Sequence, residues 1–190
     1  MEALKQQVLT KGRNLGNGIL KVDSFINHQI DPELMVEVGQ DMALRFADAD
    51  VNKVLTAEIS GIAPALATGQ ALGVPVVYAR KTRPVTMTGP VFVEVAPSHT
   101  KGRDVFLMVS TEFLGPGDRV LVVDDFLATG ATISALVRLI QHAEAELVGI
   151  GTVIEKSFEG GRRDLEAFGV PIVSLAVVSD MSNGQIRLAQ

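Results

Sequence analysis

The chain contains no cysteine, so disulfides and Cys-ligated zinc or iron–sulfur sites are excluded. That absence fits a reducing cytoplasm. Three histidines scattered over 190 residues cannot build a dense His site, and no catalytic role is read for His28 or His99. No run approaches the roughly 18 apolar residues of a membrane span. The opening residues, Met1 to Gln7, lack the apolar core of a signal peptide. Excess positive charge is also missing. The net charge of -5 disfavours a broad nucleic-acid-binding face, although it leaves room for a local basic pocket. Neither G-x-x-x-x-G-K-[ST] nor G-x-G-x-x-G occurs anywhere, so P-loop and dinucleotide-fold chemistry are set aside.

What remains is globular composition, 47% hydrophobic and 21% charged, and a length that suits one domain. Glu2 to Lys11 reads as a short helix with Leu4, Val8 and Leu9 on one side. Gly12, Gly16 and Gly18 interrupt regular structure, and the order of the stretch through Ile19, Val22, Phe25 and Ile26 stays open. Asp31 and Pro32 start a helix that runs to Phe46, with Leu34, Val38, Met42 and Phe46 as its apolar stripe and Met35 as further core filling. Strands and helices then alternate. Strands are read at 54–57, 74–79, 120–123, 147–154 and 172–178, helices at 63–72, 132–143 and 163–168, and a hairpin at 91–95 with 105–109. The alternation predicts an α/β domain with a mostly parallel central sheet flanked by helices. In such sheets ligands sit beyond the carboxyl ends of the strands. Arg162 and Arg163 are expected on a solvated helix start.

The densest chemistry lies between Val120 and Thr132. Four apolar residues lead to Asp124 and Asp125, then to Phe126 and Leu127, then to Ala128-Thr129-Gly130-Ala131-Thr132 at a helix start. Small side chains let backbone N–H groups approach an anion. The helix N-terminus and two Thr hydroxyls add to the attraction. This suits a phosphate monoester. The carboxylates need another partner, either ribose hydroxyls or Mg²⁺ carried by the substrate.

This run resembles the signature of the type I phosphoribosyltransferases. The resemblance implies their fold, with a small N-terminal hood over about 1–31 and a flexible hairpin over about 82–104 in a single domain spanning 1–190. It also implies 5-phosphoribosyl 1-pyrophosphate (PRPP) as co-substrate, with Mg²⁺. Further stretches are similar to the bacterial branch of that family that takes xanthine. They are Leu20 to Pro32, Ser60 to Ala65, Gly73 to Lys81 and Val153 to Phe158. Carried over position by position, the resemblance implies that Leu20, Asn27 and Lys156 contact the purine beside Phe126. It places the 5′-phosphate on Ala128 to Thr132, and the ribose or the metal on Asp124 and Asp125. Pyrophosphate falls to Ser60 and Gly61, whose loop sometimes carries a cis non-proline peptide in the family, with Arg80 and Lys81 as clamps. The implied reaction is purine salvage, from xanthine to xanthosine 5′-monophosphate, by a cytoplasmic homodimer.

Lys156 suits this placement chemically, because an ammonium donates to a 6-oxopurine and meets the amino group of adenine unfavourably. Asn27 offers both a donor and an acceptor to a ring edge. Ala128 stands where the hypoxanthine-guanine branch has an Asp, so no general base is assigned. Two other readings stay open. One is an adenine phosphoribosyltransferase, whose loop also reads Ala-Thr-Gly. The other is a transcription regulator that binds PRPP without turning it over. The second normally carries an extra DNA-binding domain, whereas here about 50 residues precede the first sheet strand and show no basic recognition helix.

Overall fold

In a computed structural model, which describes residues 1–97 and 104–189, the chain forms α1 (Glu2–Lys11), β1 (Arg13–Asn14), β2 (Leu20–Lys21), α2 (Pro32–Arg45), β3 (Lys53–Ala57), α3 (Ile62–Leu72), β4 (Val76–Ala79), β5 (Val91–Ala96), β6 (Val105–Ser110), β7 (Arg119–Leu127), α4 (Ala131–His142), β8 (Glu146–Lys156), α5 (Gly161–Leu165), β9 (Ile172–Asp180) and β10 (Arg187–Leu188). The central sheet has six strands in the order β10-β9-β8-β7-β3-β4, all neighbours parallel except the β10–β9 pair. The expected mostly parallel sheet is present. β10 is an edge strand too short to leave a periodic signal.

Alternation along β7 builds two cores. Leu121 and Val123 pack on one face with Leu4, Val8, Leu34, Val38 and Met42 of the first two helices. Val120 and Val122 pack on the other face with Leu136, Leu139 and Ile140 of α4 and with Leu107 and Val109 of the β5–β6 hairpin. α2 starts where the sequence places it, with the Asp31 carboxylate accepting from Leu34 N–H at 3.2 Å and Pro32 in the first turn. Leu9 departs from the expected stripe of α1. It is about half exposed, because that helix buries only Leu4 and Val8. The stretch whose order was open forms the β1–β2 pair and one π-helical turn over Asp23–Asn27. Residues 98–103 of the expected hairpin segment lie outside the described residues.

The strands that carry the chemistry are longer than their apolar runs. β7 continues through Asp124, Asp125, Phe126 and Leu127, and β8 continues through Glu155 and Lys156. Polar residues at a sheet's carboxyl edge end the hydrophobic run before they end the hydrogen-bonded ladder.

Helix α2 lies close against α3. A Cβ built on Gly39 overlaps the backbone carbonyl of Ala67 and stands 2.8 Å from its Cβ. Neither backbone has room to retreat without opening the core. Gly39→Ala is therefore expected to destabilise the fold by about 1–3 kcal/mol. A thermal melt checks this, and an unchanged midpoint contradicts the close approach.

Candidate active site

The sheet order reverses direction between β3 and β7. From β3 the chain steps outward to β4, then returns to the far side of β3 and continues through β7, β8 and β9. Loops leaving the two central strands therefore part, and a crevice opens at their carboxyl ends. β3 follows β7 only as far as Leu55 beside Val122, whereas β8 follows it to Leu127 beside Glu155. The residues from Val123 onward thus face an open edge on the β3 side.

A cavity of about 500 Å³ occupies this place. Asp124, Asp125 and Phe126 line it from β7, Ala128 to Thr132 from the loop and first turn of α4, Lys156 from the end of β8, and Lys81 from beyond β4. Asp124 and Asp125 are almost wholly buried, and the Asp124 carboxylate accepts from the Asp125 N–H at 3.0 Å. Burial, joined by the charge of Asp125 and a side-chain hydrogen bond with it, pushes the Asp124 carboxyl well above the usual range. The Asp125 N–H and the charge of Lys81 act in the opposite direction. Gly61 backs this pair, since a Cβ built there stands 2.5 Å from Asp124 Oδ1. The loop after β3 and the carboxylates of β7 are thereby in contact. The peptide between Glu58 and Ile59 in that loop is cis.

The loop from Ala128 into α4 takes its shape from two glycines. Gly130 has φ +76°, a left-handed conformation at the N-cap of α4, and Gly161 lies flat on the turn. The Gly161 N–H donates to the Ala128 carbonyl at 3.0 Å. Amides in the first turn of a helix have no partner inside that helix, so the first turn of α4 offers donors at the crevice, where an anion can be received.

Not every expected residue reaches the crevice. Leu20 is buried in the core and Asn27 is exposed, and neither lines the cavity. Asn17, Gly18 and Ile19 of the same N-terminal segment line it instead. Ser60 stands in the loop after β3, outside the lining. Arg80 and Lys81 separate, because consecutive side chains at a strand end point to opposite sides. Lys81 enters the crevice. Arg80 pairs with Glu58 at 3.0 Å, stacks over Tyr78 with 5.6 Å to the ring centroid, and lines a second cavity beside β4.

Besides Asn17, Gly18 and Ile19, the sequence reading missed Glu159 and the Glu155–Arg162 pair. Glu159 lines the crevice and pairs with the Lys156 ammonium, which also donates to the Gly18 carbonyl at 3.0 Å. Arg162, expected on a solvated helix start, instead pairs with the buried Glu155. Its Nε donates to both carboxylate oxygens at 2.9 and 3.0 Å, and its Nη2 to one of them at 2.6 Å. Arg163 is exposed as expected. The signal for the pair was Glu155 itself, a charge directly after the apolar Val153-Ile154, which burial obliges to find a partner.

The phosphoribosyl transferase domain family matches residues 45–179. A xanthine phosphoribosyltransferase of Deinococcus deserti is 51% identical over 97% of this chain and 95% of its own. One from Bacillus licheniformis is 45% identical over 100% of this chain and 98% of its own. Among solved structures, an adenine phosphoribosyltransferase from Rhodothermus marinus is similar with a TM-score of 0.75 and 27% identity, covering 93% of this chain and 97% of that one. By these matches the chain belongs to the phosphoribosyltransferase family, in the branch of the xanthine phosphoribosyltransferases.

The Glu155–Arg162 pair has a pH signature. Burial pushes the Glu155 carboxyl up, but the hydrogen bonds from Arg162 and Ser174 and the guanidinium charge outweigh it and hold the group below its ordinary value. A carboxylate with a lowered folded pKa stabilises fully above the unfolded value of about 4.3. That stabilisation is lost as the pH falls through the folded value. Glu155→Gln is expected to lower the melting temperature at pH 7 and to converge on the wild type in acid. A gap that stays constant from pH 7 to pH 3 contradicts the assignment.

Proposed function

We propose that this chain transfers the phosphoribosyl group of PRPP to xanthine, giving xanthosine 5′-monophosphate and diphosphate. The observation that carries this reading is the meeting, in one crevice at the sheet's switch point, of an anion-cupping loop, a buried carboxylate pair and a lysine held at the far end. The spacing suits a molecule with a phosphate at one end, hydroxyls in the middle and a carbonyl-bearing base at the other.

The first turn of α4 and the small residues Ala128 to Thr132 receive the 5′-phosphate. Asp124 and Asp125 accept hydrogen bonds from the ribose hydroxyls. Two carboxylates pressed together in a desolvated wall repel each other, and a cation relieves that repulsion, so this donor set fits Mg²⁺ arriving with the substrate. When bound, Mg²⁺ supplies charge neutralisation for the departing diphosphate. Lys81 adds positive charge on the same side, and the loop at Ser60 and Gly61 brings backbone groups beside Asp124. Arg80 is not retained as a clamp within this chain's crevice.

The purine sits between Phe126 and Lys156. An ammonium has three donors, and Gly18 and Glu159 take two of them, which leaves one for a purine carbonyl. The Rhodothermus marinus structure similar in fold is of an adenine phosphoribosyltransferase, but an ammonium at this place disfavours the amino group of adenine. Ala96, Pro97, Val105 and Leu107 of the hairpin wall the crevice and help to exclude water.

The reading extends to a cytoplasmic homodimer. No helix among the described residues is long and apolar enough to cross a membrane. The edge strand β4 exposes Tyr78 beside a cavity of about 560 Å³ lined by Pro84, Met87 and Phe113, an apolar face suited to a second copy. Light scattering is expected to give twice the chain mass, and a monomer at micromolar concentration contradicts the dimer.

Diphosphate release with PRPP and Mg²⁺ is expected to be fastest with xanthine, set against guanine, hypoxanthine and adenine. The double variant Asp124→Asn with Asp125→Asn is expected to lose turnover while keeping a cooperative melt. Wild-type turnover in that variant, or no release with xanthine from the unaltered protein, overturns the reading.

A further inference from the structure

Beyond the residues that line the crevice, we propose that the buried Glu155–Arg162 pair is a positioning clip that holds the phosphate loop at a set separation from the purine lysine. The proposal rests on the reading of the crevice given above.

Strand register sets the two ends of the site side by side. Leu127, the last residue of β7, stands beside Glu155 on β8. Ala128 follows Leu127 and opens the phosphate loop, and Lys156 follows Glu155 and enters the purine end. Both ends of the proposed substrate site thus start from the last rung that β7 and β8 share. Beyond it Lys156 pairs only with Val178 of β9, so no strand pairing steadies the loop.

The steadying contact comes from α5. Gly161 lies on the loop so closely that a Cβ there overlaps the Ala128 carbonyl and stands 2.5 Å from the Gly130 nitrogen and the Thr129 carbonyl carbon. From the other side, a Cβ on Gly130 meets the Gly161 carbonyl at 3.2 Å. The loop therefore rests on the start of α5 and follows any shift of it. That helix is only five residues long and cannot hold itself in place.

Arg162, the next residue, anchors it. Its guanidinium grips the Glu155 carboxylate through Nε and Nη2, and Nη1 donates to the Ile172 carbonyl at 3.2 Å. Glu155 is only 2% exposed, and its second donor is the Ser174 hydroxyl at 2.5 Å. With that proton committed to Glu155, Thr152 must donate to Ser174 across 2.9 Å. The carboxylate is thus held by groups of two strands, β8 and β9, and of α5, and is a fixed post. The path from phosphate to purine then alternates contact and peptide bond: the loop rests on Gly161, Gly161 leads to Arg162, Arg162 grips Glu155, and Glu155 leads to Lys156. A planar fork on a carboxylate fixes orientation as well as distance, which a point charge does not.

The test reads ribose 5-phosphate binding by calorimetry beside steady-state kinetics, in Arg162→Met, Arg162→Lys and Ser174→Ala. Arg162→Met is expected to weaken ribose 5-phosphate by roughly ten-fold or more and to raise the KM for PRPP, because displacement of a positioning element by about 1 Å has effects of that order. Arg162→Lys keeps the charge without the fork and is expected to recover part of the affinity. It also decides the matter if Arg162→Met does not fold. Ser174→Ala removes one support of the Glu155 carboxylate and the acceptor that Arg162 Nη2 reaches at 3.1 Å but leaves the fork, and is expected to weaken ribose 5-phosphate less than Arg162→Met does. A fall in melting temperature with unchanged ribose 5-phosphate affinity in the Arg162 variants overturns the clip and leaves a structural ion pair. The reading of the reaction fails separately, by absence of xanthine turnover in the wild type, while ribose 5-phosphate binding still reports on the clip.

Discussion

Everything at the site depends on the parting of β3 and β7. A parallel ladder that ran to full length on both sides of β7 would bury Asp124 and Asp125 between neighbours and leave no room for a ligand. Because β3 stops pairing at Leu55 and turns away through Gly61, the end of β7 stands as one wall of a crevice. The carboxylates can then be desolvated by protein on one side and satisfied by a substrate on the other. The high cost of holding two such charges together is the physical ground for the proposal that hydroxyl donors and a cation meet them.

Around that crevice the remaining elements act as supports of different stiffness. Two apolar cores, one on each face of the sheet, fix the strands. The phosphate loop is fixed less directly, by Gly161 on its back and by the grip of Arg162 on Glu155. The N-terminal turn is fixed by Lys156, whose ammonium reaches Gly18 and Glu159. The lysine proposed to meet the base thus also ties the N-terminal segment to the sheet.

The fold and the small-residue loop before α4 were legible because their signals are local. A short apolar run, a string of small residues and a helix start lie adjacent in sequence and stay adjacent in space. The helix from Pro32 was legible for the same reason, through its cap and its stripe. The purine end was less legible. Asn17, Gly18 and Ile19 line the crevice where Leu20 and Asn27 were expected, since a two-residue strand and a π-helical turn set which side chains face inward. Arg80 and Lys81, neighbours in sequence, were divided by the alternation of a strand end, and no periodic signal in so short a strand foretells which goes inward.

The sequence alone determined the α/β alternation, the helix caps, the acidic pair ending a buried strand and the small-residue loop after it. These are properties of runs whose members touch along the chain. Tertiary structure decided which loops face one another, that Gly61 backs Asp124, that Arg162 is an anchor and that Glu159 shares the lysine. Those facts arise from strand order and register, and register between distant strands is written in packing, which no local run encodes.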